Sequence, residues 1–213
     1  MSEGQSPPSG TILETVADYY AGRLRRFGTT PQGVDWSSAE SQLLRFERLL
    51  QVAEDGGDGS VNDYGCGYGA LVDYLVATGR RFSYRGFDVC ESMIHAAQAR
   101  HAGVARCSFT GQQTELTPAD YTVASGIFNV KLGHANEEWH DSVVHTLAAM
   151  AALSRRGFAF NLLSTYSDPP RRRSDLFYAD PTRMFDLCKQ RFSSRVALLH
   201  DYPLYEFTII VRT

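Results

Sequence analysis

The sequence predicts an α/β chain, a mostly parallel sheet with helices on both faces that closes on two antiparallel strands. Three observations carry this. Between residues 60 and 163, five short apolar runs alternate with helical stretches, the pattern of parallel strands joined by helical crossovers. A glycine-rich turn, Asp63 to Gly69, sits where the first run gives way to a helix. The last two runs, 194–200 and 204–212, are separated only by Asp201, Tyr202 and Pro203, too short a link for parallel neighbours.

Taken in order, residues 1–10 are polar and rich in Ser, Gly and Pro, a composition expected to form a disordered tail. From Thr11, apolar residues Ile12, Val16, Tyr19, Tyr20, Leu24 and Phe27 recur at helical spacing. A Gly/Thr/Pro loop covers Gly28 to Trp36. Ser37 with Glu40 three residues on forms a capping box for a second helix. Its apolar face is expected to be Leu43, Phe46, Leu49, Leu50 and Ala53, and Gly56, Gly57 and Gly59 end it. Strands are expected at 60–64, 82–88, 104–109, 121–128 and 157–163. Helices are expected at 70–79, 91–101 and 136–153, and another at 181–191 leads into the terminal pair. Leu71, Val72, Leu75 and Val76 should face inward on the first of these, and Trp139, Val143, Leu147 and Met150 on the third. No second domain or repeat is visible, so one domain is expected over 11–213, with 11–58 as a helical cover and 59–213 as the sheet.

Composition narrows the function classes. The 213 residues are 43% apolar and 21% charged, as in ordinary globular proteins. A net charge of −3 and a pI of about 6.1 argue against a surface that grips nucleic acid through its phosphates. Cys66, Cys90, Cys107 and Cys188 make no CxxC pair and no metal-ligand spacing, so free thiols and no metal are expected. The N-terminal residues lack the apolar core of a signal peptide, and no apolar run reaches the length of a membrane span. The expectation is a soluble, cytoplasmic protein with no membrane or nucleic-acid partner; its oligomeric state is left open.

The strongest local signal is Asp63-Tyr-Gly65-Cys66-Gly67-Tyr-Gly69, leaving a strand and entering a helix. Glycines there allow a sharp turn and a close approach of backbone to ligand. Asp88 closes the second strand about twenty residues later, where dinucleotide-type folds place a carboxylate on ribose hydroxyls. Gly65-x-Gly67-x-x-Ala70 also fits an NAD fingerprint, so an NAD-dependent reductase is one alternative reading. Against it stand the acid Asp63 two residues before the first glycine, two helices ahead of the first strand, and the terminal hairpin in place of a substrate domain.

With these residues the sequence resembles the class I, Rossmann-like S-adenosylmethionine-dependent methyltransferases of the bacterial small-molecule type, in the order and spacing of elements over about 11–213. The resemblance implies a three-layer fold with a seven-stranded, mostly parallel sheet, its last strand antiparallel and inserted between the fifth and sixth. It implies S-adenosyl-L-methionine as cofactor, Asp63 and the stretch Gly65, Cys66, Gly67 and Gly69 around its methionine part, and Asp88 on the ribose. Val89 and Met93 would pack around adenine and ribose, and Gln112 would stand where many members place an acid on the adenine amine. Gly126 and Phe128, at the end of the fourth strand, would face the same crevice.

On the acceptor side, Asn129, His134 and His200 are candidate catalytic residues. Asn129 ends the fourth strand, and either histidine could take a proton near neutral pH. Tyr20 and Trp36 from the N-terminal segment, and Arg173 and Tyr178 from the long 164–180 loop, are expected to cover a small-molecule acceptor. The reading is methyl transfer to an oxygen or nitrogen of a small molecule by in-line displacement; a non-catalytic cofactor-binding scaffold or sensor is the remaining alternative.

Overall fold

The computed structural model describes residues 10–53 and 59–213. Residues 1–9 of the tail expected over 1–10, and the helix-ending Gly56 and Gly57, lie outside the described residues.

Two helices precede the sheet, α1 (Ile12–Phe27) and α2 (Ala39–Leu49). Thr11 caps α1 reciprocally: its hydroxyl accepts from the Glu14 N–H, and the Glu14 carboxylate accepts from the Thr11 N–H, satisfying two otherwise orphaned donors. The α2 cap falls one residue later than expected, on Ser38, whose hydroxyl accepts from the Ser41 N–H. The inward face of α2 turns with it. Leu43 is exposed, and Gln42, Arg45, Phe46 and Leu49 are buried. A pattern read from apolar residues carries no sign of Arg45, which is buried against the acid Glu206.

The sheet follows in the order β1 (Gly59–Tyr64), β2 (Phe82–Phe87), β3 (Cys107–Thr110), β4 (Ala119–Ala124), β5 (Ser154–Ser164), β6 (Tyr178–Ala179), β7 (Arg195–Leu199) and β8 (Glu206–Arg212). Across the sheet the strands run β3-β2-β1-β4-β5-β8-β7, with the two-residue β6 alongside the end of β5. The pairs among β1 to β5 are parallel. β8 is antiparallel to both β5 and β7 and lies between them, as the tight terminal link requires. β6 was not foreseen; two residues are too few for a periodic signal.

Helices α3 (Ala70–Ala77), α4 (Glu91–Arg100), α5 (Asn136–Ala152) and α6 (Pro181–Arg191) complete the layers. On one face, Trp139, Val143, Leu147 and Met150 of α5 pack with Met184 and Cys188 of α6 against Phe158, Phe160 and Phe207. On the other, Phe46 and Leu49 of α2 and Leu71 and Leu75 of α3 pack against Val61, Val123 and Ile210. Val76, expected inward, is exposed.

Two strand boundaries moved for one reason. Arg106 has φ 61°, so β3 begins only at Cys107. Gly126 has φ 75°, so β4 stops at Ala124, and Phe128 and Asn129 lie in the turn beyond it. A left-handed residue cannot continue an extended ladder.

Candidate active site

The site is built around the turn that leaves β1. Gly65, Gly67 and Gly69 have φ of 83°, 53° and 81°, conformations that only glycine takes without strain. The Gly65 and Cys66 N–H groups both donate to the Phe87 carbonyl, at 2.7 and 2.9 Å, tying the turn to the end of β2. Asp88 finishes the tie: its Oδ2 accepts the Gly67 N–H and its Oδ1 the Cys90 N–H, each at 2.8 Å. Each oxygen keeps acceptor capacity for a ligand hydroxyl. Burial raises the Asp88 carboxyl and the two N–H donors oppose that shift.

A cleft of about 1150 Å3, open solvent included, runs from this turn toward the N-terminal helices. Asp63, Gly65, Cys66, Gly67, Asp88, Val89 and Met93 line it. Asp63 is buried and accepts from the Tyr84 hydroxyl at 2.7 Å. Burial pushes its carboxyl up to about 7; the Tyr84 hydrogen bond lowers it and the Asp88 charge adds to the rise. Gly69 stands behind the turn, where a Cβ would lie 2.9 Å from the His101 ring, so its role is packing. Gln112 is exposed and off the cleft wall, which its neighbour Gln113 lines. The expectation was one residue out because the short helical turn at Gln113–Glu115 sets which side chain points in.

The wall opposite comes from the end of β4. Ser125, Gly126, Ile127 and Phe128 line it, and the Trp139 indole N–H holds the Phe128 carbonyl at 2.8 Å. The Ser125 hydroxyl is buried without a hydrogen-bond partner. A Cβ on Gly65 would collide with Ile127, and one on Gly126 with the Trp36 ring. The far end is covered by Ile12, Val16 and Tyr20 of α1 and by Trp36.

Three expected catalytic positions lie away from the cleft. Asn129 is buried and structural: its side-chain oxygen accepts the Leu163 N–H at 3.0 Å, and its carbonyl the Phe177 N–H at 2.8 Å. His134 is buried off the cleft, its Nδ1 3.3 Å from Glu138. His200 is exposed beside Tyr166 and Phe207. Arg173 and Tyr178 do not line the cleft either. The Arg173 guanidinium pairs with Asp175 at 2.5 Å, and the Arg173 backbone N–H donates to the Tyr178 hydroxyl at 3.0 Å. The Asp175 carboxylate beside it raises the Arg173 pKa, burial opposes that rise, and the Asp35 charge of the N-terminal segment adds to it. Sequence reasoning missed Ser125, Gln113 and the buried Arg45, Glu206 and Asn161; only Ser125 and Gln113 had a signal, as neighbours of expected residues.

A glycine turn at the end of the first strand and an acid at the end of the second, under a helical cover, define an α/β protein that binds a nucleoside-type cofactor. A family described as methyltransferase domain matches residues 61–156. "Putative methyltransferase Rv1506c" of Mycobacterium tuberculosis is 54% identical over 153 residues, 72% of this chain and 92% of that protein. Magnesium protoporphyrin IX methyltransferase of Synechocystis PCC 6803, solved with S-adenosylmethionine, superposes with a TM-score of 0.66 at 16% identity, covering 97% of this chain and 99% of that one. The 1,6-didemethyltoxoflavin-N1-methyltransferase of Burkholderia thailandensis, solved with its acceptor and S-adenosylhomocysteine, gives 0.64 at 19% identity over 97% and 92%. The chain belongs to the class I methyltransferase family, an enzyme family whose cofactor is S-adenosylmethionine. That membership sets aside the reductase and scaffold readings.

Proposed function

We propose that the chain transfers the methyl group of S-adenosylmethionine to an oxygen or nitrogen of a small molecule held in this cleft, with residues 11–213 working as one domain. The observation that carries it is the continuity of the cleft, from the glycine turn and Asp88 to the apolar cover of Ile12, Val16, Tyr20 and Trp36. The residues suit the cofactor: backbone stands where a Cβ would intrude, and Ser125 offers an unpartnered hydroxyl. Asp63 and the backbone of Gly65, Cys66 and Gly67 would hold the methionine part, Asp88 the ribose, and Val89, Met93 and Gln113 the adenine side. The cofactor supplies a methyl carbon on a sulfonium, so the bond from the acceptor's lone pair forms as the carbon–sulfur bond breaks and a neutral thioether leaves.

The chain's own part is then to position the acceptor and exclude water. Alignment of two bound partners can supply on the order of 7–11 kcal/mol of the barrier. Neither His134 nor His200 lines the cleft, so this reading gives them no part in proton transfer. The two solved relatives named above act on small molecules by their names, which supports an acceptor of that size here. Among the described residues no helix is long and apolar enough to cross a membrane; a dissolved acceptor met in the cytoplasm is part of the proposal. Methyl-labelled S-adenosylmethionine, incubated with the protein and fractionated cell extract, tests the reading. Label is expected in the low-mass fraction; label confined to RNA, DNA or protein overturns it.

A further inference from the structure

Trp36 is held in a closed ring of buried contacts. Arg45 of α2 donates from Nε and Nη2 to the two carboxylate oxygens of Glu206 in β8, at 2.8 and 2.6 Å. Its Nη1 donates to the Ser41 carbonyl at 2.7 Å. Glu206 also accepts from Asn161 Nδ2 of β5 at 2.6 Å, and Asn161 Oδ1 accepts the Gly126 N–H at 2.7 Å. The ring closes through Trp36, whose six-membered ring abuts Gly126 where a Cβ would stand and whose indole lies under the Arg45 guanidinium, 3.8 Å from centroid to Cζ. What these two contacts leave of the indole lines the cleft.

The chemistry of this arrangement is specific. Arg45 and Glu206 are 6% and 2% exposed. A buried ion pair gives little stability over a packed apolar pair of the same volume, so stability does not account for it. What it gives is geometry: a planar cation fixed over one indole face, anchored through Asn161 to the backbone at the cleft rim. The cleft beside it carries no Lys, Arg or His among the described residues, and its only charged side chains are Asp63 and Asp88. Among the cleft's own side chains an anionic acceptor would meet only acids, Asp63 and Asp88, and a cationic one would share the space with the cofactor's sulfonium.

We propose that Arg45, Glu206 and Asn161 are positioning residues that hold the Trp36 indole as a fixed aromatic wall for the methyl acceptor, which carries a flat, uncharged aromatic ring. This rests on the reading of the cleft as a joint cofactor and acceptor site. The test titrates 2-naphthol and 2-naphthoate into the full-length protein saturated with S-adenosylhomocysteine. 2-Naphthol binds the wild type, and 2-naphthoate, the same ring carrying a charge, binds weaker by about tenfold or more, equivalent to about 1.4 kcal/mol. Two variants follow: Trp36→Ala, and the double variant Arg45→Met with Glu206→Leu, which replaces the buried ions by an apolar pair and keeps the fold. Each weakens 2-naphthol by about tenfold while S-adenosylhomocysteine affinity stays within about threefold. No binding of 2-naphthol to the wild type, undiminished binding by the double variant, or tighter binding of 2-naphthoate overturns the proposal. A parallel fall in melting temperature and in affinity for both ligands makes the ring scaffolding alone, and overturns it too. Wild type that fails to bind S-adenosylhomocysteine overturns instead the underlying reading of the cleft.

Discussion

The two ends of the cleft are made by different means. The cofactor end is local. Asp63, Gly65, Gly67 and Asp88 belong to one strand–turn–helix–strand unit, and most of its contacts are made by backbone N–H and carbonyl groups. The covered end is long-range and made by side chains: Trp36 and Arg45, Asn161, and Glu206 come from three separate parts of the chain, and 161 residues separate the members of the ion pair. A backbone-built end presents the same donors whatever the neighbouring side chains are. A side-chain-built end changes with each substitution, which suits a fold that keeps one cofactor while its sites diverge.

That difference can be broken from either side. The largest effect is expected at the covered end. Glu206→Ala strands the Arg45 charge in the core and should lower stability by about 3–5 kcal/mol, read by urea unfolding; a loss well under that range would mean that the pair is not sealed from water. At the cofactor end, Asp88→Ala removes the acceptor for ribose hydroxyls and should weaken S-adenosylhomocysteine by about 1.5–3 kcal/mol in calorimetry. Because Asp88 also ties the Gly67 and Cys90 N–H groups, this variant should lose stability as well, so cofactor affinity has to be measured below its unfolding midpoint. An unaltered dissociation constant would remove Asp88 from the ribose.

Asp63 sharpens the comparison through pH. Its folded pKa, about 7 against an ordinary 3.8, is raised, so the unfolded chain binds fewer protons between these values and stability falls as pH rises from about 4 to about 7. Cofactor binding responds with the opposite sign. An ammonium group on the ligand favours the ionised carboxylate, so affinity should rise by up to about tenfold per pH unit toward 7 and level off above it. Asp63→Asn should flatten both profiles; an unchanged slope would place the titration elsewhere. The smallest effect belongs to His200, exposed and off the cleft. His200→Ala should leave turnover within about twofold of wild type, given the near-neutrality of substitutions away from special sites, and a loss of about a hundredfold would return it to the proton-transfer role that its chemistry first suggested.

How far the sequence reaches follows the same division. The strand–helix alternation, the antiparallel end and the glycine turn were legible because each is a local pattern with a local cause: apolar periodicity, a link too short to cross over, φ values that glycine alone accepts. The start of α1 near Thr11 was legible for the same reason, since its apolar spacing is local. Errors began where a pattern had to be oriented. The face of α2 was read from its leucines, and Gln112 was placed by counting from β3, although the turn geometry points Gln113 inward.

By itself, then, the sequence determined the fold class, the glycine turn and the place of Asp88 at the end of the second strand, because short-range sterics and hydrogen bonding fix them wherever the chain goes. Tertiary structure alone decided which side chains meet at the other end. It buried Arg45 against Glu206, set Trp36 against Gly126, and took Asn129, His134 and His200 off the cleft. No spacing encodes a contact across 161 residues. Such a pair forms only once the sheet order brings β8 beside β5 and packs α2 over them, and a charged residue gives no sign in advance that its partner will be buried with it.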